Sequence, residues 1–467
     1  MEQIAKKLAA KASAALSKKQ QKVARTSTES AGFVQFMPYQ DNGLGGFPYY
    51  YSNPSTLLFN DKTYQWICSS CSFNGTSIEL HAPFTNIFIE ALSSISFQLS
   101  AADQSLFAQY NADISTKQMN LISCWRQTYP SQNNIQIDAI IETIANSWAQ
   151  PSTTLHQMLT AQDLHSLLNQ TPASGQAILL PLSAYLSAIN RSVSLKNASP
   201  MHNGYLAKAL AGVQTPTFDN GGMQTTSTFR PKFAVATALS DILTSLNSPN
   251  AGSFSINVTL ECLANNQCKA VIDGELSEQT NLVNVLDITL DGEACFSQLL
   301  DVNDTINATM AFTGVSIVEF SPQAFDKSEG KYWYWNVAIA QAIANKNKDV
   351  TGFQFSPMPN IDFSANGKYG FLTSVAISKH PGVRLQITSS KALQIKKAFE
   401  QAQKIALTFI GRQMLMSSPA DINIIDDKLT ISLTQTQTFM PDSVDSTAFV
   451  LGVKACFPNA PASPDEI

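Results

Sequence analysis

Charged residues are scarce in this sequence of 467 residues. Asp, Glu, Lys and Arg make up 14% of the chain, against about 25% in an average soluble protein. Hydrophobic residues reach 44%, so Ser, Thr, Asn and Gln must cover much of the surface. A neutral polar surface suits a protein that packs against copies of itself, because few ions have to lose their water. It suits a secreted binding protein equally well.

Local catalytic and cofactor motifs are missing. The chain has five histidines and none lies in an HExxH or HxH arrangement, so no metal ligands are visible. His156 and His165 are nine positions apart, which places them on roughly opposite faces of one predicted helix. Gly330-Lys331 and Gly367-Lys368 lack the other residues of a phosphate-binding loop, and there is no GxGxxG or GxSxG element. We therefore expect no enzyme activity, cofactor, metal or small-molecule substrate, although a dispersed Ser-His-Asp set stays open.

Cysteine is neither dense nor regularly spaced. Seven cysteines are spread over the whole chain, and only Cys68 and Cys71 form a CxxC pair. A four-ligand zinc site needs a second such pair, which the sequence does not contain. We interpret Cys68 and Cys71 as two half-buried thiols near the end of a strand, because free cysteine is most often a core residue.

Long apolar runs are also missing. The stretch from Ala177 to Ile189 is interrupted by Pro181, and it falls short of the roughly 20 residues that span a bilayer. Ala9 to Leu16 is broken by Lys11 and Ser13, so no apolar core of a secretory signal is visible. The sequence therefore predicts no signal peptide and no transmembrane helix. The expected location is the cytoplasm of the producing cell.

Positive charge is concentrated at the N-terminus. The first 25 residues contain seven basic residues and one acidic residue, which gives this segment a charge of +6 and leaves −11 for the remainder. A basic arm on an acidic body is typical of contact with nucleic acid or an anionic membrane; a solvated helix end is the alternative. We predict that these side chains bind nucleic acid: Lys6, Lys7, Lys11, Lys18, Lys19, Lys22 and Arg25.

Helical periodicity dominates the first half of the chain. We predict four helices, bounded by prolines that include Pro151 and Pro200: Phe84 to Leu99, Ile135 to Trp148, Thr154 to Leu168 and Gln176 to Ile189. The segment 214–222 contains Pro216, Asn220, Gly221 and Gly222 and is the clearest linker signal. The predicted organisation is a basic N-terminal arm at 1–30, a helix-rich region at 31–213, the linker, a mixed region at 223–457 and a tail at 458–467.

The second half mixes strand and helix patterns. Apolar and polar residues alternate strictly from Phe254 to Leu260, and again around Ile431, which predicts half-buried strands. Val285 to Leu290, followed by Asp291-Gly292, indicates a hairpin. We predict helices at Phe233 to Leu246 and Lys391 to Met414. The predicted fold class is therefore α+β, with a helix-rich first half and a mixed second half.

Two aromatic segments stand out. Tyr332, Trp333, Tyr334 and Trp335 precede a short apolar helix predicted from Asn336 to Ala344. We favour a core position for this cluster over an interface, sugar or membrane contact, because tryptophan is highly buried on average. Tyr49, Tyr50 and Tyr51 lie in a loop rich in glycine and proline, where anchoring in the core is again the favoured interpretation.

The layout resembles that of coat proteins of small RNA viruses. The basic segment from Lys6 to Arg25, the helices from Phe84 to Ile189 and the mixed region after Gly222 are most similar to coat proteins of segmented double-stranded RNA viruses of the partitivirus kind. This resemblance implies a closed shell, assembled from dimers around a double-stranded RNA segment. The expected function is then a self-assembling shell protein that binds copies of itself, located in the virion, with its arm toward RNA.

A pore-forming or surface-binding toxin is the alternative. In that hypothesis the Lys-rich N-terminal helix and the segment from Ala308 to Phe320 insert into a membrane. The low charge and the abundant Ser and Thr fit this class too. Particle size in solution and leakage from liposomes distinguish the two hypotheses.

Overall fold

The structure is a computed structural model. It describes residues 34–35, 61–73, 78–130, 136, 173–225, 227–248, 253–274, 276–291, 294–379, 381–409, 412–416, 419, 421–426, 428–434 and 448–459. Several predictions lie outside these ranges: the nucleic-acid-binding residues from Lys6 to Arg25, the loop at Tyr49 to Tyr51 and, apart from residue 136, the two helices expected between 135 and 168. The same holds for His156 and His165, and for the tail beyond residue 459.

Helices occur in both halves of the described chain. They are listed here in chain order: α1 Asp61–Ile67, α2 Phe84–Ser93, α3 Ala101–Thr128, α4 Ala173–Gln214, α5 Leu239–Asn247, α6 Leu282–Val285, α7 Asn336–Ala344 and α8 Ala392–Gln401. The 28-residue α3 and the 42-residue α4 both belong to the first half. The hydroxyl of Ser100 caps α3 by accepting a hydrogen bond from the N–H of Asp103.

Most strands belong to the second half. They are, in chain order, β1 Val34–Gln35, β2 Ser69–Phe73, β3 Ile78–Pro83, β4 Ile95–Gln98, β5 Met223–Gln224, β6 Phe229–Arg230, β7 Phe233–Val235, β8 Ser253–Cys262, β9 Gln267–Ile272, β10 Leu276–Asn281, β11 Leu286–Leu290, β12 Ala294–Cys295, β13 Thr305–Thr313, β14 Ser316–Pro322, β15 Gly352–Phe355, β16 Gly370–Ser378, β17 Gly382–Thr388, β18 Ile405–Phe409, β19 Arg412–Met416, β20 Asp421–Ile425, β21 Lys428–Leu433 and β22 Phe449–Cys456. Long helices followed by antiparallel sheets confirm the α+β class.

The chain divides into two compact units. The first contains residues 1–93, 209–336 and 359–467, and the second contains residues 94–208 and 337–358. The boundary at residue 208 falls within α4. The linker signal at 214–222 coincides with the end of this helix, where the backbone turns around Thr217 and Asn220.

Two large antiparallel sheets form the first unit. One has the strand order β1-β22-β16-β14-β7, with β2 paired to β16 and β3 paired to β2. The other has the order β10-β9-β8-β13-β17-β21-β20 and is called the second sheet below. A four-stranded sheet, β12-β11-β18-β19, and the two-stranded ribbon β5-β6 also belong to this unit. The hairpin predicted after Leu290 is confirmed, because β11 pairs with β12 and Asp291 adopts a positive φ of 52° at the turn.

One hydrophobic core joins these sheets. It combines the inward side chains of the second sheet with α8, β11 and β18. Ile306, Leu385 and Ile431 come from the sheet, and Ile395 and Phe399 come from the helix. Each strand contributes every second residue to the core, because successive side chains of a strand point to opposite faces of the sheet.

A separate aromatic cluster surrounds Trp333. This side chain is fully buried, contacts the rings of Phe84, Phe88 and Phe233, and donates a 2.7 Å hydrogen bond from Nε1 to the carbonyl oxygen of Lys232. Trp335 is also buried. The interpretation of these tryptophans as core residues is therefore confirmed, as is the helix predicted from Asn336 to Ala344.

The second unit is built on the pairing of α3 with α4. Leu121 and Trp125 of α3 pack against a group of residues on α4, namely Ile178, Leu182, Tyr185 and Leu186. Farther along the same helices, Ser192 donates a 2.8 Å hydrogen bond to Asn111. A two-stranded ribbon, β4 with β15, completes this unit.

Several predicted boundaries are wrong. The helix expected from Phe84 to Leu99 ends at Ser93, and Ile95–Gln98 forms β4. The helix expected from Lys391 to Met414 ends at Gln401 and is followed by β18 and β19.

Two further helix predictions fail at their ends. The first residues of the helix expected from Phe233 form β7 instead. The helix expected to stop near Ile189 continues through Pro200 to Gln214.

Candidate functional site

Strict alternation in the second sheet separates a buried face from a water-exposed face. In β17 the burial pattern alternates along the whole strand: Val383, Leu385 and Ile387 are buried, while Arg384 and Gln386 are exposed. The strands β8, β13 and β21 alternate in the same way. The exposed side chains of neighbouring strands therefore form one continuous surface, which we call the outer face.

The central row of the outer face is almost entirely neutral and polar. The strand registers place one outward-facing residue of each strand opposite the next across six strands. Four of the six are exposed, and Val271 and Thr430 are half-buried. The row contains, in spatial order, Val271, Thr259, Asn307, Gln386, Thr430 and Asn423. With strands about 4.8 Å apart, its five polar members span about 19 Å.

Two flanking rows carry the charges. One row consists of Lys269, Glu261, Thr305, Thr388, Lys428 and Ile425. The other consists of Asp273, Asn257, Thr309, Arg384, Ser432 and Asp421. These rows hold three basic residues and three acidic residues, so their formal charges cancel. The outer face thus lacks the positive potential with which proteins attract a phosphate backbone.

Hydrogen bonds between strands organise the outer face. Thr259 Oγ1 donates to Asn307 Oδ1 at 2.7 Å, and Thr309 Oγ1 donates to Asn257 Oδ1 at 3.0 Å. The side-chain amide of Asn257 also donates to Asp273 Oδ1 at 3.3 Å. Side chains held in this way keep part of their donor and acceptor capacity for another polar surface.

A serine–histidine contact lies elsewhere in the first unit, on the hairpin of β2 and β3. Ser72 Oγ is 2.7 Å from His81 Nε2. Burial and the positive charge of Lys368 lower the pKa of His81, against an opposing effect of Glu79. Ser72 is only 7% exposed, so its hydroxyl is closed to a bulky substrate. We assign this contact to the stability of the hairpin.

The CxxC cysteines are buried thiols. Cys68 and Cys71 are free, and both are less than 3% exposed. Burial raises the pKa of both thiols. Cys68 immediately precedes β2, as expected for a cysteine near a strand end, but Cys71 is the middle residue of that strand. The expectation of half-buried thiols is wrong, because both side chains are fully buried. Among the described residues no group of three His, Cys, Asp or Glu side chains is placed to hold a metal ion.

The segment proposed for membrane insertion, Ala308 to Phe320, forms most of β13, a turn at Gly314 and most of β14. Phe312 and Phe320 are buried in the first unit. Within the described residues one helical stretch, Gln176–Gln214 of α4, has the length and apolar composition to cross a membrane, and 39% of its most apolar window is buried. A buried core helix meets the same criterion, so this stretch is weak evidence for a membrane span.

Sequence reasoning had recognised strand alternation and the neutral polar bias, but not the outer face. The five strands that carry its polar central row begin at residues 253, 305, 382, 421 and 428, and no local pattern shows which strands are neighbours. The signal in the sequence is the recurrence of Thr, Asn and Gln at alternate positions of these strands. In comparisons with known proteins, no family model matches the chain, and no curated protein or solved structure is significantly similar to it.

Proposed function

We propose that this chain is a structural protein that assembles with copies of itself into a shell, and that the outer face is one of the contact surfaces between copies. The observation that supports this proposal is the neutral central row, which crosses six strands and is flanked by rows of cancelling charge. The chain-wide scarcity of charge, at 14%, points the same way.

Desolvation favours such a surface as a contact. Burying hydroxyl and amide groups that find new hydrogen-bond partners costs far less than burying ions, and protein interfaces carry about one hydrogen bond per 100–200 Å². The second sheet has seven strands, which at about 4.8 Å each span about 29 Å, and a seven-residue strand is about 23 Å long. The resulting area of roughly 700 Å² is close to the roughly 800 Å² that each partner contributes to a standard interface.

The N-terminal arm completes the proposal. Its charge of +6 within 25 residues gives it the electrostatic character that the outer face lacks. In an assembled shell, the arm is the part of the chain that we propose contacts RNA, through counterion release from the phosphate backbone. The proposed place of action is therefore the virion, or the cytoplasm of the cell that produces it.

The first experiment measures the mass of the purified full-length protein by light scattering, with ultraviolet absorbance before and after nuclease treatment. We expect a particle of many subunits with protected nucleic acid. A monomer at all accessible concentrations contradicts the proposal. If that monomer also releases dye from liposomes, the pore-forming alternative gains support instead.

Paired variants then test the outer face. Asn307→Lys combined with Gln386→Lys places two like charges on the central row, and we expect smaller particles with unchanged thermal unfolding. The matched control is Asn284→Lys combined with Gln394→Lys, at exposed positions on α6 and α8. The control keeps the particle mass. Particles of unchanged mass in the first variant mean that the outer face is not a contact surface.

A further inference from the structure

Two cysteines face each other at the end of the β8–β9 hairpin. Cys262 is the last residue of β8, and its register partner in β9 is Cys268. The turn between them contains Asn265 and Asn266, both with positive φ. Neither thiol is in a disulfide, and their exposed fractions are 5% and 0%.

The backbone hydrogen bonds define the type of this pair. The N–H of Cys262 donates to the carbonyl oxygen of Asp304 at 2.8 Å, and its carbonyl oxygen accepts from the N–H of Asn303 at 2.9 Å. Both polar groups of Cys262 are therefore directed away from β9. On the β9 side, the N–H of the next residue, Leu263, donates to Gln267. Cys262 and Cys268 thus form a non-hydrogen-bonded pair, the type with the shorter Cα separation, about 4.5 Å.

That separation falls within the range of disulfides. Disulfide-linked cysteines have Cα atoms roughly 4.4–6.8 Å apart and Cβ atoms about 3.5–4.5 Å apart. Directly opposed residues of an antiparallel pair have Cβ atoms about 4.5–5.5 Å apart, so a small closing movement and rotation about χ1 bring the two sulfurs together. Both side chains lie on the buried face of the second sheet, since both belong to its hydrophobic core.

We propose that Cys262 and Cys268 are a redox-active pair that forms a reversible disulfide between β8 and β9. The oxidant is a small-molecule disulfide. The thiolate of one cysteine attacks it, forms a mixed disulfide and releases one small thiol. The second cysteine then attacks the protein sulfur of the mixed disulfide and releases the other small thiol. The two cysteine protons end on the two released thiols, so atoms and electrons balance.

The position of the pair decides its reactivity. Burial raises the pKa of both thiols to about 11, so the thiolate is rare at neutral pH and oxidation is slow. Access requires opening of the β9–β10 end of the second sheet, where β10 is the last strand in the described order. Once formed, the disulfide holds β9 against β8 and opposes that opening.

The CxxC pair is a control within the same chain. Cys71 lies in β2, and Cys68 immediately precedes that strand. Residues 69–71 are strand, so the Cα atoms of Cys68 and Cys71 lie up to about 10 Å apart, whereas the Cα atoms of a disulfide lie within about 7 Å. Cys68 also contacts Thr85, with 3.8 Å between Sγ and Oγ1. These two thiols are as buried as the proposed pair but are not arranged to be linked.

The test treats the folded full-length protein with glutathione buffers of increasing oxidised fraction at pH 8, followed by acid quenching and alkylation under denaturing conditions. Peptide mass spectrometry then reports each cysteine. We expect Cys262 and Cys268 to lose their thiols together and to appear as one linked species, while Cys68 is recovered in its alkylated form and no link between Cys68 and Cys71 is found. A small exposed thiol peptide in the same tube reports that the oxidant is active.

Two outcomes contradict the proposal. In the first, Cys262 and Cys268 are recovered as free thiols after the reporter peptide is fully oxidised, even at pH 9.5. In the second, they are linked to other cysteines rather than to each other. Cys262→Ser provides the variant control, because Cys268 then has no partner and can form only a mixed disulfide. The readout is independent of particle assembly, so it tests this pair separately from the proposed shell.

Discussion

The hydroxyl of Thr259 donates a 2.7 Å hydrogen bond to the side-chain carbonyl oxygen of Asn307, directly opposite on the neighbouring strand. Both side chains are exposed, whereas the residues next to them in sequence, Leu260 and Ile306, are fully buried. The same two strands thus serve two different purposes. Their inward residues hold the sheet to its core, and their outward residues are available to a partner.

This division predicts different costs for substitutions on the two faces. Thr259→Ala removes an exposed hydrogen bond that water replaces, so we expect less than about 1 kcal/mol loss in the free energy of unfolding. Ile306→Ala leaves a cavity in the core and is expected to cost about 2–5 kcal/mol. Urea unfolding of both variants measures the difference. Equal losses would show that the outer face is needed for folding.

The aromatic cluster predicts a large effect at Trp333. We expect Trp333→Ala to lower the free energy of unfolding by about 3–5 kcal/mol, because the ring is fully buried and its Nε1 bonds to Lys232. Phe218→Ala serves as control, since that ring is 81% exposed. The unfolding midpoint of the Phe218→Ala variant should stay close to that of the wild type. A small effect at Trp333 would mean that the cluster can repack without its central ring.

Two glycines of α4 form a matched pair. A Cβ at Gly212 would clash with the backbone carbonyl oxygen of Tyr332, whereas a Cβ at Gly204 meets nothing within 4 Å. Alanine is favoured over glycine within a helix by roughly 0.5–1 kcal/mol. We therefore expect Gly204→Ala to raise the thermal midpoint and Gly212→Ala to lower it, because a backbone atom cannot easily yield. A higher thermal midpoint for Gly212→Ala than for Gly204→Ala would contradict the described packing of α4.

Buried thiols predict a loss of stability at alkaline pH. Burial raises the pKa of Cys262 and Cys268 from 9.0 to about 11, so the unfolded chain releases these protons at lower pH than the folded chain. Their contribution is therefore fully present below pH 9 and is lost as pH rises toward 11, at up to about 1.4 kcal/mol per group and pH unit. Urea unfolding between pH 7 and 10.5 measures this slope. The fall in the free energy of unfolding with rising pH should be shallower in the double variant Cys262→Ala, Cys268→Ala.

The basic arm predicts salt-dependent retention of nucleic acid. Deleting residues 1–25 removes seven positive charges, and seven phosphate contacts correspond to a logarithmic salt slope of about −6. We expect the truncated protein to keep its circular dichroism spectrum while its RNA affinity falls and its salt slope flattens. Replacing the seven basic residues by glutamine provides a control of unchanged length. Unchanged RNA retention after deletion would remove the role assigned to the arm.

Local pattern predicted some elements well. Strict alternation identified β8 and β21, and the Asp291-Gly292 signal identified the β11–β12 hairpin. The helix from Asn336 to Ala344 also has its predicted bounds. These elements have a single periodicity, so the backbone hydrogen bonds and the burial of side chains favour the same conformation.

Predictions failed where partners distant in sequence decided the conformation. Ile95–Gln98 continued a helical pattern, yet it pairs with Gly352–Phe355, more than 250 residues away. Ile405–Phe409 follows the amphipathic α8 but pairs with Leu286–Leu290. A long-range strand partner supplies hydrogen bonds and packing that outweigh modest helix propensities.

The continuation of α4 through Pro200 has a similar cause. Proline removes one helical hydrogen bond and usually ends or kinks a helix. Here the residues on either side of it are held by tertiary contacts. Ser199 and Asn203 both donate from their side chains to the carbonyl oxygen of Phe97 in β4, at 3.0 and 3.3 Å. The ring of His202 stacks on Phe97 with centroids 4.3 Å apart.

Composition and local periodicity were enough to predict the α+β class, the scarcity of charge and the concentration of positive charge at the N-terminus, because they can be read from residues close together in the chain. In contrast, the exposed row shared by Thr259, Asn307 and Gln386, and the pairing of Cys262 with Cys268, follow from strand order and register. Strand order and register depend on which apolar faces can be buried together. That choice is made by the whole core, across residues far apart in the chain.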